Sequence, residues 1–199
     1  MNMFVSAPRS LLPSQDSSIE GLYPIEVIER HPYTTQTFIP LGLSSSEVND
    51  ACYLVIVAPT LPPTTADETL PVPYSRANHE RLPGRGFPDL QKIRAFIANG
   101  SQGVTYGAGT WHAPMVVIGK KAISFVVVQY ANGVGIEDCQ EVNVDCRSYE
   151  WIARIDDGGH GVFSTELSWQ IAIRRLWDWC GQSGKAVGEE NETARGLVA

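Results

Sequence analysis

Residues Val104–Lys120 read VTYGAGTWHAPMVVIGK, and two short apolar segments flank the glycine-rich turn in this stretch. Gly107 and Gly109 can adopt positive φ angles at little cost, so the chain can bend sharply between a strand ending at Tyr106 and the apolar strand that follows. The bend places His112 at a rigid strand end. An imidazole held there titrates near neutral pH and can move a proton or bind a metal.

Short apolar runs continue on both sides of this stretch and are separated by turn residues. The sequence contains 18 glycines and 13 prolines, which favours a mainly β fold over a helical bundle. Residues 53–57, YLVIV, predict a buried strand. Further strands are predicted over 22–31, 34–42, 103–106, 115–118 and 123–129. The last three suggest a meander that could close into a small barrel.

Two segments have helical spacing. Residues 88–100, PDLQKIRAFIANG, carry apolar side chains at helical intervals between a proline and a glycine, and they predict one short helix. Residues 165–180 predict a possible C-terminal amphipathic helix, followed by a polar tail that we expect to be disordered. Residues 58–87 are rich in Pro, Thr and Asn and are interpreted as a surface insertion.

Composition excludes several classes of function. The chain has 199 residues, a formal net charge of -7 and 19% charged residues, which gives it no nucleic-acid footprint. No apolar run approaches the ~20 residues of a membrane span, and no secretion signal is recognisable. The four cysteines form no CxxC pair. We therefore expect a cytoplasmic protein with reduced thiols and no membrane partner.

Chemistry-bearing residues fall into two clusters at the ends of predicted strands. The first comprises Glu29, Arg30, His31, Thr35 and Gln36, and the second comprises Tyr106, Trp111 and His112. Strand alternation places Glu29 and His31 on one side and Arg30 on the other. For each of these residues a structural role stands beside the functional one. Examples are a core histidine bonded to a carbonyl, a surface ion pair for Arg30 and a wall aromatic for Trp111.

Three segments in order resemble one family. ERHPYTTQTFIPLG at 29–42, PDLQKIRAFIANGSQGVTY at 88–106 and GTWHAPMVVIG at 109–119 are similar to the ureidoglycolate lyase family, formerly called ureidoglycolate hydrolase, and GTWHAPM resembles its fungal branch. The resemblance covers residues 22–141. It implies a cupin-like β-barrel, a homodimer, and the splitting of (S)-ureidoglycolate into glyoxylate and urea in allantoin and purine catabolism for nitrogen use.

Together with the resemblance, the two clusters suggest roles for named residues. We expect His112, His31 and Glu29 to be catalytic, and Arg30, Thr35, Gln36, Tyr106 and Trp111 to bind substrate. The family implies a divalent metal such as nickel, for which His31 and His112 are the candidate ligands. Ala113 stands where bacterial relatives have a second histidine, and the spacing supplies no evident set of two histidines and a carboxylate.

We predict a cupin-like lyase domain over residues 1–142, shortened at its N-terminus relative to the family, and an unmatched, partly helical extension over 143–199. Two alternatives stay open. The chain could be a cupin-like module that binds a small carboxylate without turnover, or an inactive truncated member of the family.

Overall fold

The computed structural model describes residues 1–11, 21–48, 50–73 and 84–144, and the backbone of three further strands. The strands are β1 (Asn2–Ser6), β2 (Gly21–Pro24), β3 (Val27–Arg30), β4 (Gln36–Leu41), β5 (Cys52–Ala58), β6 (Arg94–Asn99), β7 (Val104–Tyr106), β8 (Trp111–His112), β9 (Val116–Val117), β10 (Ile123–Gln129), β11 (Gln140–Asn143), β12 (Glu150–Ile155), β13 (Gly161–Ser168) and β14 (Gln170–Ile173). The helices are a 3₁₀ turn, Leu90–Lys92, and α1 (Gly135–Asp138). The expectation of a mainly β, cupin-like chain is confirmed.

Strand β5 lies at the centre of the fold because both of its faces are apolar. Its sheet has the order β11-β3-β8-β5-β6, and β9 also pairs with β5. Along β5, Leu54 and Ile56 enter one core cluster, whereas Tyr53 and Val55 enter another. The period of two residues in a strand explains this division. The predicted buried strand over 53–57 is confirmed.

The second core cluster joins this sheet to a second sheet of order β1-β10-β4-β7. Phe38 on β4 and Phe125 on β10 pack edge to face, with ring centroids 6.0 Å apart, and Tyr53 of β5 lies 5.1 Å from Phe125. These aromatic contacts fill the space between the two sheets. The candidate site described below extends this layer at one end.

The last three strands form a third sheet with β2. Its order is β13-β12-β14-β2, with β12 and β14 parallel and the other pairs antiparallel. The prediction of a helix over 165–180 is therefore wrong for residues 165–168 and 170–173, whose backbone pairs with neighbouring strands. Residue 169, residues 174–180 and the predicted disordered tail lie outside the described residues.

The predicted helix over 88–100 is also wrong. The Asp89 side chain accepts a hydrogen bond from the Gln91 N–H and starts one 3₁₀ turn, after which the chain enters β6. All six residues of β6 pair with β5, and Ala95 and Ala98 are buried on opposite faces. Pairing with an already buried strand stabilises the extended form more than helical spacing stabilises a helix.

The predicted strands from 103 to 129 exist, but they do not form a meander. β7 pairs with β4, β8 and β9 pair with β5, and β10 pairs with β1 and β4. The glycine turns thus carry the chain back and forth between two sheets. Gly109 has a φ of 78°, as expected for the turn before His112.

The segment 58–87, predicted as a surface insertion, is exposed in part. Residues 60–66 of the segment are exposed or half-buried, whereas Asp67 and Gly86 are buried within the fold.

Cys139 is a free thiol, but Cys52 is disulfide-bonded, contrary to the expectation of reduced cysteines. Across the described part of the chain, no helix has the length and apolar character needed to cross a membrane.

Candidate active site

Along β3 and β8, successive side chains point to opposite faces of the sheet. Glu29 pairs directly with His112 across the two strands, and both side chains lie on the side that faces the second sheet. Arg30 and Trp111, the neighbours of these residues in sequence, point to the other side. The expected separation of Glu29 and His31 from Arg30 is therefore confirmed.

Glu29 lies between two imidazoles. Its Oε1 atom is 3.5 Å from Nε2 of His112 and 3.9 Å from Nε2 of His31. The centroids of the two rings are 5.4 Å apart. Both histidines are buried, whereas the Glu29 side chain is 19% exposed. One carboxylate oxygen and two ring nitrogens therefore converge at a point that solvent reaches from the Glu29 side.

His112 is fixed by a ring and by hydrogen-bond acceptors. Tyr106 stacks on it with a centroid distance of 3.8 Å and an interplanar angle of 14°. Its Nδ1 donates to the Thr110 carbonyl oxygen at 2.9 Å, and its Nε2 lies 3.0 Å from Oε1 of Gln36. Together with Glu29, these partners are all acceptors. They match a ring that carries a hydrogen on both nitrogens.

The two ring nitrogens of His31 have different surroundings. Its Nδ1 lies 2.8 Å from the Asp138 carbonyl oxygen and 2.8 Å from Nε2 of Gln129. It can donate to the carbonyl when it carries the hydrogen, or accept from the amide when it does not. Within the part of the chain that the structure describes, its Nε2 is buried without a hydrogen-bond partner. That unpartnered nitrogen faces Glu29 and can accept a proton or bind a ligand.

The environment shifts the pKa of two of these groups. Burial raises the pKa of Glu29, but the hydrogen bond and charge of His112, the charge of His31 and the hydrogen bond of Cys139 together outweigh burial, and the pKa lies below its usual range. Burial lowers the pKa of His31, because a charged ring would lose its water, and nearby hydrogen bonds only partly oppose this. The site therefore combines an ionised carboxylate with a neutral imidazole at neutral pH.

Arg30 and Trp111 do not join this cluster. The Arg30 guanidinium lies 4.4 Å from the centroid of the Trp111 ring and donates to Gln140 and to the carbonyls of Gly84, Arg85 and Gly86. Burial lowers the pKa of Arg30 to about 10. Four bonds occupy most of the five donors of a guanidinium, so Arg30 clamps the chain at 84–86 and has little capacity left for a substrate carboxylate.

Of the other residues predicted to bind substrate, two contact His112 and one does not. Gln36 contacts His112 directly, and Tyr106 stacks on the same ring, so both belong to the site. The Tyr106 hydroxyl donates to Sδ of buried Met115, 3.9 Å away. Burial raises the pKa of that hydroxyl, which therefore stays protonated. Thr35 is exposed and, among the described residues, takes no part in the contacts that join the cluster.

Sequence reasoning missed three residues of this face. Gln129 ends β10 and contacts His31. Glu141 on β11 lies opposite Glu29, and the Cys139 thiol donates to Oε2 of Glu29 at 3.8 Å. Burial raises the pKa of Cys139 to about 12, so the thiol stays protonated. The alternation of Cys139 and Glu141 two residues apart was an available signal, whereas nothing local pointed to Gln129.

Glu29, His31 and His112 also fit a divalent metal. Their ligand atoms lie within 4.8 Å of one another. Each histidine has a backbone carbonyl at its Nδ1, a common arrangement for a ring that binds metal through Nε2. Two histidines and a carboxylate therefore come together, although their spacing in sequence gave no sign of it. Binding metal would displace the Nε2 hydrogen of His112.

Comparisons with known proteins agree with the earlier resemblance. The sequence model of the ureidoglycolate lyase family matches residues 1–150. Proteins named ureidoglycolate lyase share 42% identity over 137 residues (Schizosaccharomyces pombe), 40% over 118 (Saccharomyces cerevisiae) and 28% over 138 (Burkholderia mallei). These alignments cover 69%, 59% and 69% of the chain and 57%, 47% and 56% of the relatives. The chain thus spans about half the length of the curated relatives it matches, and it belongs to the ureidoglycolate lyase family.

Proposed function

We propose that the chain supplies the active site of a lyase that splits (S)-ureidoglycolate into glyoxylate and urea. The observation that carries the proposal is the convergence of Glu29, His31 and His112, with both Nε2 atoms turned toward one carboxylate. The reaction needs one group that takes a proton and one that gives a proton. Two imidazoles in different surroundings match that requirement.

His31 is the proposed base. Among the described residues its Nε2 has no hydrogen-bond partner, and burial keeps the ring neutral. When the ring hydrogen lies on Nδ1 and is donated to the Asp138 carbonyl, Nε2 is available to take a proton. In this scheme Nε2 takes the proton from the substrate hydroxyl, and the electron pair of that O–H bond forms the carbonyl of glyoxylate. The C–N bond breaks, and its electron pair leaves on the urea nitrogen. No water is consumed.

His112 is the proposed acid. Its surroundings suit a ring with hydrogens on both nitrogens, and its Nε2 hydrogen passes to the departing urea nitrogen. One proton has then moved onto His31 and one has left His112. Glu29, between the two rings, stabilises whichever ring is charged and can return the proton from His31 to His112.

A divalent metal such as nickel is the proposed alternative use of the same three side chains. Glu29, His31 and His112 would hold the metal, which would supply Lewis-acid polarisation of the substrate oxygens. The two uses exclude each other at His112, because a ring bound through Nε2 cannot donate a hydrogen from that atom. Arg30 does not bind the substrate carboxylate in this proposal, because its N–H groups already donate to Gln140 and to the carbonyls of Gly84 and Arg85.

The test is a coupled glyoxylate assay on the purified chain with (S)-ureidoglycolate, together with measurement of urea and ammonia. We expect equal amounts of glyoxylate and urea. Ammonia in place of urea would point to an amidohydrolase. Glyoxylate binding by calorimetry without turnover, with or without added nickel, would favour the binding module instead. Activity that survives metal removal would assign the reaction to the histidines as acid and base.

We also propose that the protein is a homodimer and is cytoplasmic. Support for the dimer comes from an apolar outer face on the sheet of β1, β4 and β10, where Met3, Val5, Ile39 and Leu41 are exposed. Light scattering tests the dimer, and Ile39→Lys should weaken it. The location is tested by alkylation of Cys52 in denatured cell extracts, because Cys52 is buried in the folded protein. A cytoplasmic protein should keep this thiol reduced, whereas a disulfide at Cys52, as in the structure, would favour an oxidising compartment.

A further inference from the structure

Two glutamines connect the two histidines by a continuous chain of contacts. Nε2 of His112 lies 3.0 Å from Oε1 of Gln36, Nε2 of Gln36 donates to Oε1 of Gln129 at 2.9 Å, and Nε2 of Gln129 lies 2.8 Å from Nδ1 of His31. Glu29 closes the ring on the other side through the Nε2 atoms of both histidines. The five side chains thus form one closed polar circuit. The Gln129 amide donates to Nδ1 of His31 in the tautomer with its hydrogen on Nε2, and in the tautomer that acts as base Nδ1 donates to the Asp138 carbonyl and the amide only packs against the ring.

The amide pair belongs to a different sheet from Glu29 and His112. Gln36 begins β4 and Gln129 ends β10, and the two residues are register partners. Glu29 and His112 are partners on β3 and β8. Each pair is one rung of its own sheet. The contacts of Gln36 with His112 and of Gln129 with His31 therefore fix the separation and angle of the two sheets at the site.

Amides suit this position for a chemical reason. A primary amide carries both a donor and an acceptor at its end, so two of them can bond to each other and still reach an imidazole at either end. They add no charge beside a carboxylate that already interacts with two rings. Buried amides without such partners would be costly, and Gln36 is only 7% exposed.

We propose that Gln36 and Gln129 act as one positioning unit, which holds both imidazoles with their Nε2 atoms on the Glu29 carboxylate. Imidazole rings rotate within broad wells about χ2, and the backbone carbonyls at Nδ1 restrain only one edge of each ring. The amide pair restrains the rings relative to each other. Because each amide is oriented by the other, removal of either one releases both histidines.

The catalytic part of this inference rests on the proposed lyase function. The experiment compares Gln36→Met, Gln129→Met and the double variant, since Met keeps the length of the side chain without an amide. The control is Thr37→Val with Thr105→Val. Thr37 on β4 and Thr105 on β7 form a side-chain hydrogen bond of 2.9 Å with each other. They lie beside Gln36 and Tyr106 in sequence but outside the circuit. Circular dichroism establishes that each variant is folded.

The first readout is independent of activity. We expect Gln129→Met to shift the ring signals of His112 in ¹H–¹⁵N NMR spectra, although Gln36, and not Gln129, is the amide that contacts this ring. Thr37→Val with Thr105→Val should leave those signals in place. Unchanged His112 signals in folded Gln129→Met would overturn the proposal. If Gln36→Met does not fold, Gln129→Met carries the test alone.

The second readout separates kcat from KM. Each single variant should lose about 10- to 100-fold in kcat with little change in KM, and the double variant should lose no more than the larger single loss. Losses that multiply in the double variant would contradict a single unit. If the chain has no lyase activity, the NMR result still decides whether the amide pair couples the rings, so the two proposals fail separately.

Discussion

Glu29 and His112 face each other as direct partners of adjacent strands, with Oε1 of the carboxylate 3.5 Å from Nε2 of the ring. Strand pairing places the two side chains side by side, because opposite residues of a sheet share a face. The ion pair and the position of the proposed acid thus follow from the register of two short strands. A histidine elsewhere in the sequence could not replace His112 without a change of register.

Replacing His112 by Gln should abolish most turnover. The amide keeps a donor near the position of Nε2 but cannot deliver a proton, so kcat should fall by about 10²- to 10⁴-fold. The measurement is glyoxylate release, with the exposed Thr35→Val as the matched polar control. A fall of less than about threefold in His112→Gln would remove His112 from the proton transfers.

Replacing Arg30 by Met should lower stability rather than substrate binding. The variant leaves the carbonyls of residues 84–86 without their donor, and the free energy of unfolding in urea should fall by about 3 kcal/mol. Arg94→Met removes the same side chain from an exposed position and should change little. An unchanged unfolding free energy combined with a tenfold rise in KM would instead restore Arg30 as the carboxylate clamp.

Replacing Gly86 by Ala should destabilise the segment that covers Trp111. A Cβ at this position would overlap the backbone of Leu61, and the Gly86 carbonyl accepts from both Arg30 and Trp111. The unfolding free energy should fall by about 1 to 3 kcal/mol. Gly84→Ala is the matched control, since a Cβ there meets no atom of the described residues within 4 Å. Equal stability of the two variants would show that the backbone at 86 moves freely.

Stability should fall as the pH decreases below neutrality, because the pKa of His31 is lower in the folded protein than in the unfolded chain. Between the two pKa values the unfolded chain binds the proton and the folded protein does not, so acid favours unfolding there. The window starts near the ordinary value of about 6.5. His31→Asn should flatten the dependence between about pH 7.5 and 5.5 in urea titrations.

Glu29 contributes in a separate range. Its pKa is lowered in the folded state, so its contribution to stability is present above the ordinary carboxyl pKa and is lost as the pH falls through the folded value. His31→Asn should leave most of this more acidic loss in place. Curves for wild type and His31→Asn that stay parallel above about pH 5.5 would contradict the assignment to His31.

Nickel binding should depend on Glu29 and release protons. Calorimetry in buffers of different ionisation enthalpy should detect the hydrogen displaced from His112, and affinity should decrease as the pH falls. Glu29→Gln should weaken binding by at least about tenfold, a typical loss on perturbing a metal site. Glu47→Gln, an exposed carboxylate paired with Lys121, should bind as wild type does. Equal affinity of both variants would exclude the three-residue site.

Local pattern predicted the parts of this fold that depend on one strand at a time. The alternation around Glu29 gave the correct faces, and the continuous apolar run at 53–57 gave the central strand. Local pattern failed for residues 94–99, because apolar residues at helical intervals can also be buried on the two faces of a strand. Only the pairing with β5, which is distant in sequence, decides between the two.

In the candidate site too, local pattern indicated single residues but not the contacts between strands that are distant in sequence. Glu29 and His31 could be paired from their spacing, and His112 stood out beside a glycine turn. Their convergence depends on β8 inserting between β3 and β5, and Gln129 enters from another sheet. The contacts of the site join residues up to 110 positions apart and leave no local pattern.

Strand β3 has only four residues, yet Arg30 on one face secures the covering chain while Glu29 on the other serves the proposed chemistry. A substitution on one face therefore leaves the contacts of the other face in place. A deletion or insertion of one residue within Val27–Arg30 is different, since it would turn the guanidinium toward the histidines and the carboxylate into the apolar layer at once. In natural variation, this stretch should therefore hold its length constant.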